Sequence, residues 1–526
     1  MYKILMTYDN TEGLDALLKN PEFNVEIHNK PTPEKFKELI GDYDGLMIRS
    51  EVKVTPEIVE AGKKLKFIGR AGTGVDNVDI ASATQKGIVV ANVPGGNTIS
   101  AAEHAIGLML ALARNIPQAH ASLKAKEWKR NNFVGTELQG KVLGLVGLGR
   151  IGREVAQRML AFGMTVIAYD PFVNAEFAKS LGIEVKTLDE VYQQSDYISV
   201  HSPLNDTTRG MINAEALKKM KAGVRIINCA RGGIIDEKAL SEAIKSGHVK
   251  GAAIDVFPKE PPADWTIIET DNVIVTPHLA ASTEEAQVKI AVELSEVVVD
   301  FFTKGVIRNA VNVPTLDWET YKKLEPYIQL AEKLGSFQGQ SVEGGISEVK
   351  LTFAGDIIKY NTNPMLVAYL KGLLTPILDI KVNFVNAPVL AKERGIKIAE
   401  TKSEESEDFT SLISATVKTD KDGSSISGTL FSHKNSRIVR LNKQSVDIVP
   451  SGCMLLVTNI DRPGIVGQVG MFLGKNNINI AGMQVSRQAE GGEATTIINI
   501  DSCVNTDVIK QITNLSGVNK VKYIEL

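Results

Sequence analysis

Residues 141–152 read KVLGLVGLGRIG: an apolar strand runs into Gly147-Leu148-Gly149-Arg150-Ile151-Gly152, and REVAQRMLAFG (153–163) then shows helical spacing of its apolar residues. A G-x-G-x-x-G pattern is weak alone, but between a strand and a helix it is a phosphate-holding turn. Gly147 permits the tight turn, Gly149 lets the backbone approach a pyrophosphate, and Gly152 lets the helix pack closely on the strand. The helix N-terminus adds N–H donors and the positive end of its dipole. The next strand, MTVIAYD (164–170), ends in Asp170, 18 residues after Gly152. A carboxylate there accepts hydrogen bonds from ribose hydroxyls and disfavours a 2′-phosphate, so the expected cofactor is NAD rather than NADP.

Working outward, YISVHSP (197–203), VRIINCARG (224–232), GAAIDVF (251–257) and VIVTPH (273–278) continue the series of apolar strands that end in small or polar residues. Upstream, KILMT, FNVEIHN, DGLMIR, LKFIGRA and GIVVANVP alternate with helical segments over residues 1–98. Strands alternating with helices predict parallel α/β domains. Between the two series, TISAAEHAIGLMLALARNIPQAHASL (98–123) reads as one helix, with Ser100 and Glu103 as its capping box. STEEAQVKIAVELSEVVVDFFTKG (282–305) reads as an amphipathic helix. Residues 316–447 mix helices such as YIQLAEKLGSF with strands such as VKLTFAG. From Cys453 the order is βαββαβ, with AEGGE (489–493) as the hairpin between the inner strands.

The composition fits several such units. At 526 residues the chain has room for about three to four domains. It is 43% hydrophobic and 23% charged, the profile of an ordinary soluble globular protein. Lys plus Arg is 59 against 62 for Asp plus Glu, so there is no basic excess of the kind that nucleic-acid binding uses. The N-terminus MYKILMTYD reads as a strand rather than a signal region, and no apolar run is long enough for a membrane span. Cys229, Cys453 and Cys503 are widely spaced, which predicts neither a disulfide framework nor a metal site. The expected compartment is therefore the reducing cytoplasm.

Oxidation of an alcohol by hydride transfer needs a base for the hydroxyl proton and a cation for a neighbouring carboxylate. Three residues on successive strand ends fit. His278 closes VIVTPH, Glu260 sits in the Pro-rich FPKEPP, and Arg231 closes IINCAR before two glycines. His278 is the expected acid–base group, Glu260 the carboxylate that orients its imidazole, and Arg231 the forked partner of a substrate carboxylate. Arg70, beside the Gly-rich turn in RAGTGVD, suits an anion such as a phosphate.

GLGRIG followed by YDP, NCARGGIIDE, AIDVFPKEPP and TPHLAAST together resemble the D-2-hydroxyacid dehydrogenases. GRAGTGVDNVD, IRSEVKVT, NTISAAEH and the tail VTNIDRPGIVGQVG narrow the resemblance to that family's long form, which carries two extra C-terminal domains. The resemblance implies a flavodoxin-like substrate domain (1–97 and 287–314) interrupted by a Rossmann NAD domain (98–286). Two α+β regulatory domains would follow: an allosteric substrate-binding-like domain (316–447) and a ferredoxin-like ACT domain (452–526). It implies NAD-dependent oxidation of 3-phosphoglycerate to 3-phosphohydroxypyruvate, the first committed step of serine synthesis.

The resemblance also distributes the contacts. Cofactor contacts fall to Thr73, Arg150, Ile151, Asp170, Ser202, Cys229, Ala230, Arg231, Asp255, His278 and Ala281, besides the three glycines. Substrate contacts fall to Arg49, Arg70, Gly72, Gly74, Val75, Asn97, Arg231 and His278. Asn459, Asp461 and Asn479 stand where ACT modules hold an amino-acid effector, here L-serine, at a subunit interface. A homodimer or homotetramer is implied, and no metal, nucleic acid or membrane. Other readings stay open: a dehydrogenase of glyoxylate, hydroxypyruvate or lactate, or an NAD-sensing binding protein like the family's corepressors. The basic run His433, Lys434, Arg437 and Arg440 reads as an exposed strand or an anion site.

Overall fold

The computed structural model describes residues 1–314, 316, 318–442, 444–487 and 489–526. Its first sheet contains β1 (Tyr2–Met6), β2 (Phe23–Ile27), β3 (Gly45–Ile48), β4 (Phe67–Arg70) and β5 (Val89–Ala91). These strands are parallel in the order β2-β1-β3-β4-β5. The GLMI of β3 is buried throughout, as expected of a strand covered on both faces. The second sheet contains β6 (Val142–Val146), β7 (Thr165–Tyr169), β8 (Glu184–Val185), β9 (Tyr197–Val200), β10 (Val224–Asn228), β11 (Val249–Ile254) and β12 (Val273–Val275). It is also parallel, in the order β12-β11-β10-β9-β6-β7-β8. The order reverses beside β6, which places a crevice at the Gly147–Gly152 turn. The two-residue β8 carries too little pattern to be read from sequence.

The helix Glu284–Lys304 follows the second sheet in sequence but packs on the first. Ile290, Leu294, Val297, Val298 and Phe302 meet Ile4, Met47 and Phe67 in one core. The chain beyond it is fastened to the same sheet: Val311 N donates to Val90 O at 2.8 Å, and Asn312 Oδ1 accepts from Val90 N at 2.9 Å. The chain therefore passes between the two sheets twice, before helix Thr98–Arg114 and at Thr283. Those crossings touch through the hydroxyls of Ser100 and Thr283, 2.8 Å apart.

That contact corrects the expected capping box, because Ser100 is spent on Thr283 and Asn97 occupies the N-cap. The single helix over 98–123 is also corrected. It breaks at Asn115, whose φ of 51° is left-handed, and Ile116–Lys124 forms a second helix with Pro117 in its first turn. Asn tolerates this conformation better than most residues, and a proline at the next helix's start costs no internal hydrogen bond.

The third sheet comprises β13 (Ile346–Gly355), β14 (Lys397–Ser403), β15 (Ser411–Thr419), β16 (Gly423–Phe431), β17 (Asn435–Leu441) and β18 (Gln444–Ile448). Its order is β14-β13-β15-β16-β17-β18, antiparallel except for β13 with β14. Helices Trp318–Ser341 and Asn363–Leu374 share its core through Leu334, Phe337, Tyr369 and Leu373. The fourth sheet contains β19 (Cys453–Ile460), β20 (Ile480–Arg487), β21 (Glu493–Ile500) and β22 (Val518–Glu525), antiparallel in the order β20-β21-β19-β22. With its two helices it has the expected βαββαβ order.

Cys453 and Cys503 form a disulfide, which corrects the expectation of none. Cys453 opens β19 opposite Ile500 of β21, and Cys503 follows three residues later. A sequence separation of 50 residues hides an adjacency that sheet register creates. Cys229 alone is a free, buried thiol. The cysteine argument for a reducing compartment therefore falls. No helix among the described residues is long and apolar enough to cross a membrane.

Candidate active site

Every predicted catalytic, cofactor or substrate residue lies within six positions of the C-terminal end of a parallel strand. Arg49 follows β3, Arg70 ends β4, Gly147 follows β6, Asp170 follows β7 and Ser202 follows β9. Cys229, Ala230 and Arg231 follow β10, Asp255 and Glu260 follow β11, and His278 follows β12. The two sheets thus present their ligand-binding ends to a common cleft.

The glycines of the turn have distinct surroundings. Gly147 has a φ of +102°, and a Cβ there would meet the His201 carbonyl. A Cβ on Gly152 would collide with the Gly147 carbonyl, whereas one on Gly149 would face open space. An open approach at the middle glycine, at the start of helix Arg150–Ala161, fits a pyrophosphate. Asp170 accepts from Leu148 N at 2.8 Å and Phe172 N at 2.9 Å, so its carboxylate braces the turn and keeps lone pairs for a ribose. Arg150 borders a groove with Gly95, Thr98 and Phe177, and Ile151 packs partly buried beside it. Ser202 Oγ donates to Val146 O at 2.9 Å, Ala230 N to Asn228 Oδ1 at 3.0 Å, and Ala281 O accepts from Thr283 N at 3.1 Å.

Asp255 is fully buried and receives four donors: Thr276 Oγ1 at 2.5 Å, Leu279 N at 2.8 Å, Ala280 N at 3.0 Å and the His104 ring at 3.2 Å. Burial raises its pKa, but these hydrogen bonds more than offset that and leave it below the usual carboxylate value. Burial pushes the neighbouring Cys229 thiol up, with Asp255 adding to the effect. His104, Cys229 and Asp255 bring ligand atoms within 4.8 Å of one another, a spacing a metal ion can use. The four donors on Asp255 instead make this a satisfied polar network. Nothing in the sequence marks His104, because it lies mid-helix, 151 residues from its partner.

Asp255 also fixes the next layer, since its carbonyl accepts from His278 N at 2.9 Å. His278 has a left-handed φ of 54°, a conformation that the surrounding contacts impose at some cost. Its Nδ1 lies 2.7 Å from Glu260 Oε2, while Glu260 Oε1 accepts from Phe257 N at 3.1 Å. Burial raises the Glu260 pKa, but the His278 and Phe257 hydrogen bonds outweigh it and hold the group below its ordinary range. An ionised Glu260 accepts a hydrogen bond from Nδ1–H, which leaves Nε2 unprotonated for a reacting hydroxyl.

The 70–76 loop brings the cations together. Arg231 Nε donates to Asp76 Oδ2 at 3.0 Å and Nη1 to Ala230 O at 2.7 Å. A Cβ on Gly74 would collide with Arg231 Nη2, and one on Gly72 with Arg70 Nη1, so the two guanidiniums lie against this loop. Arg70 Nη1 donates to Ala71 O at 3.0 Å, while its buried Nε has no partner among the described residues. Burial and then the nearby Arg231 pull its pKa down to about 10, still fully charged at neutral pH. Val75 O accepts from Val78 N at 2.9 Å, which closes the loop. Thr73 Oγ1 lies 2.8 Å from Asn97 Oδ1, which ties the loop to the start of helix Thr98–Arg114. Asp76 was not singled out in the sequence, although its place in RAGTGVD beside Arg70 was a usable signal.

The predicted effector residues are not brought together. Asn459 is buried and spends its side chain on Ile460 O and Thr496 Oγ1. Asp461 pairs with Arg487 at 2.6 Å, and Asn479 donates to Asp501 at 2.6 Å. Arg487 ends β20 and Asn479 precedes it, so Asp461 and Asn479 stand at opposite ends of that strand, about 25 Å apart by strand rise. The basic run is a turn at His433 and Lys434 leading into β17, where Arg437 pairs with Asp447 and Arg440 with Glu407.

Taken with the fold, this geometry defines an NAD-dependent dehydrogenase of the D-2-hydroxyacid class. Residues 106–280 match the NAD-binding domain of D-isomer-specific 2-hydroxyacid dehydrogenases, 323–442 the D-3-phosphoglycerate dehydrogenase intervening domain, and 454–517 the ACT domain. The chain is 43% identical over 100% of both lengths to D-3-phosphoglycerate dehydrogenase of Bacillus subtilis. It is 44% identical, again over 100% of both, to the protein of that name in Methanocaldococcus jannaschii. Among solved structures it resembles Aquifex aeolicus D-lactate dehydrogenase complexed with NAD and lactic acid, at 30% identity and a TM-score of 0.53 over 60% of this chain and 100% of that one. The chain belongs to the D-3-phosphoglycerate dehydrogenase family.

Proposed function

We propose that the protein oxidises 3-phospho-D-glycerate to 3-phosphohydroxypyruvate with NAD, the first step of L-serine biosynthesis. Full-length similarity to relatives of that name supports the reading, and one structural observation carries it. The Glu260–His278 pair faces a cleft lined by Arg231, Arg70 and Arg49, which matches a substrate with a hydroxyl, a carboxylate and a phosphate.

His278 Nε2 accepts the C2 hydroxyl proton, and Glu260 holds Nδ1 and stabilises the imidazolium that forms. In the reverse direction the same nitrogen returns the proton to the carbonyl oxygen. Arg231 holds the carboxylate and fixes C2, while Arg49, Arg70 and the N–H groups of Gly72, Gly74 and Val75 receive the phosphate and the rest of the acid. Bound NAD supplies the hydride acceptor, with Gly147–Gly152, Asp170, Ser202, Asp255 and their neighbours as its seat. The Ser100–Thr283 contact lies where the chain crosses between the two sheets, at the natural axis for closing the cleft.

Exposed Trp128, Val134, Leu123 and Ile116 cluster on the helix and loop after Asn115, which favours a homodimer or homotetramer. The ACT-domain match over residues 454–517 supports an amino-acid effector there, for which L-serine is the candidate. Loss of NADH absorbance on adding 3-phosphohydroxypyruvate tests the assignment. The rate should fall by about 10²–10⁴ in His278→Ala, and an unaltered rate in that variant would reject the assigned chemistry.

A further inference from the structure

Of Arg49, Arg70 and Arg231, Arg49 alone has neither a carboxylate nor a carbonyl partner among the described residues, yet it is not loose. Its guanidinium carbon lies 4.6 Å from the centre of the Tyr8 ring. The two residues follow neighbouring parallel strands in register, because β1 and β3 pair Met6 with Met47 and each chain runs two residues further. The Arg49 backbone is fixed as well, its carbonyl accepting from Asn77 Nδ2 at 2.8 Å. Tyr8 is 4% exposed and packs into the core of the first sheet with Leu14 and Leu17. Its ring is therefore a rigid support. Its hydroxyl is buried with no partner among the described residues, so nothing in the hydrogen-bonding pattern explains a tyrosine there.

We propose that Tyr8 is a positioning residue for phosphate recognition: its ring face holds the unpaired Arg49 guanidinium extended at the mouth of the cleft. A free arginine side chain samples many rotamers, and ordering it on binding costs affinity. Stacking on a buried aromatic ring removes that cost while leaving the N–H edge of the guanidinium free, because the ring attracts the cation's face and takes no hydrogen-bond donor. A carboxylate in Tyr8's place would fix Arg49 too, but it would neutralise the charge needed for the phosphate. The inference rests on the proposed phosphate role of Arg49.

The test compares kcat/KM for 3-phosphohydroxypyruvate with that for unphosphorylated hydroxypyruvate in wild type, Arg49→Ala, Tyr8→Phe and Tyr8→Leu. The ratio of the two constants isolates phosphate recognition from any general loss of folded or active enzyme. It should drop by roughly tenfold in Tyr8→Leu, stay near wild type in Tyr8→Phe, and drop furthest in Arg49→Ala. An unchanged ratio in Tyr8→Leu beside a fall in Arg49→Ala overturns the role of Tyr8 alone. A fall in Tyr8→Phe as deep as in Tyr8→Leu overturns the ring-face account. An unchanged ratio in Arg49→Ala overturns the phosphate assignment on which it stands.

Discussion

Arg231 follows a strand of the second sheet and Asp76 a strand of the first, yet Arg231 Nε lies 3.0 Å from the Asp76 carboxylate across the cleft. The proposed anchor for the substrate carboxylate is thus aimed from both sides, by Ala230 O on its own strand end and by Asp76 on the opposite loop.

Asp76→Asn should loosen that aim. We expect kcat/KM to fall about tenfold, from losing a charge-assisted hydrogen bond that is partly exposed, with KM rising for phosphorylated and unphosphorylated acids alike. Steady-state kinetics on both acids check this. A lower KM would instead mean that Asp76 competes with the substrate for Arg231.

Glu260 is held ionised below its ordinary range by His278 and the Phe257 N–H, against the opposing effect of burial. The ionised carboxylate stabilises the imidazolium that forms when Nε2 takes the hydroxyl proton. In Glu260→Gln that support is gone, so the rate of ketoacid reduction should decline at lower pH than in wild type. The oxidation rate should rise at lower pH. Rate profiles of both directions from pH 5 to 10 read the two displacements, which must share one sign.

Asp170, the proposed ribose partner, accepts from Leu148 N and Phe172 N. Asp170→Ser should raise the use of NADPH relative to NADH, because the charge that repels a 2′-phosphate is gone. It should also lower the unfolding temperature slightly, because a hydroxyl braces Leu148 N and Phe172 N less well. The ratio of kcat/KM for the two cofactors is the measurement.

Glu343, between helix Trp318–Ser341 and β13, lies 2.6 Å from Lys520 and 3.1 Å from Lys522 on β22, joining the last two sheets. The Lys520 and Lys522 hydrogen bonds bring its pKa from 4.5 down to about 2. A depressed carboxylate pKa stabilises the folded state above the unfolded value and loses that contribution as pH falls through the folded one. The unfolding-temperature difference between wild type and Glu343→Gln should therefore be constant above about pH 5, shrink below it and vanish near pH 2. High salt should reduce the difference throughout, since these groups are exposed.

Much of this was legible because α/β proteins write their sites at strand ends. KVLGLVGLGRIG, NCARG and VTPH each show an apolar strand breaking into small or polar residues, and the structure turns those breaks toward one cleft. What escaped the sequence depends on register or on distant packing. Cys453 and Cys503 meet only because β19 lies beside β21. Tyr8 reaches Arg49 only because β1 lies beside β3. His104 reaches Asp255 only because its helix lies under the second sheet. The break at Asn115 was local, written in Asn-Ile-Pro, but the apolar pattern on both sides concealed it.

The central claim is that the cleft reads a phosphate as well as a hydroxyacid. Reduction of 3-phosphohydroxypyruvate and of hydroxypyruvate, followed by NADH loss under identical conditions, tests it most directly. A preference in kcat/KM of about 100-fold or more, worth about 2.7 kcal/mol in the transition state, is the predicted result. Equal constants for the two acids would contradict it, leaving Arg49 and Arg70 without a phosphate to bind and the protein a general hydroxyacid dehydrogenase.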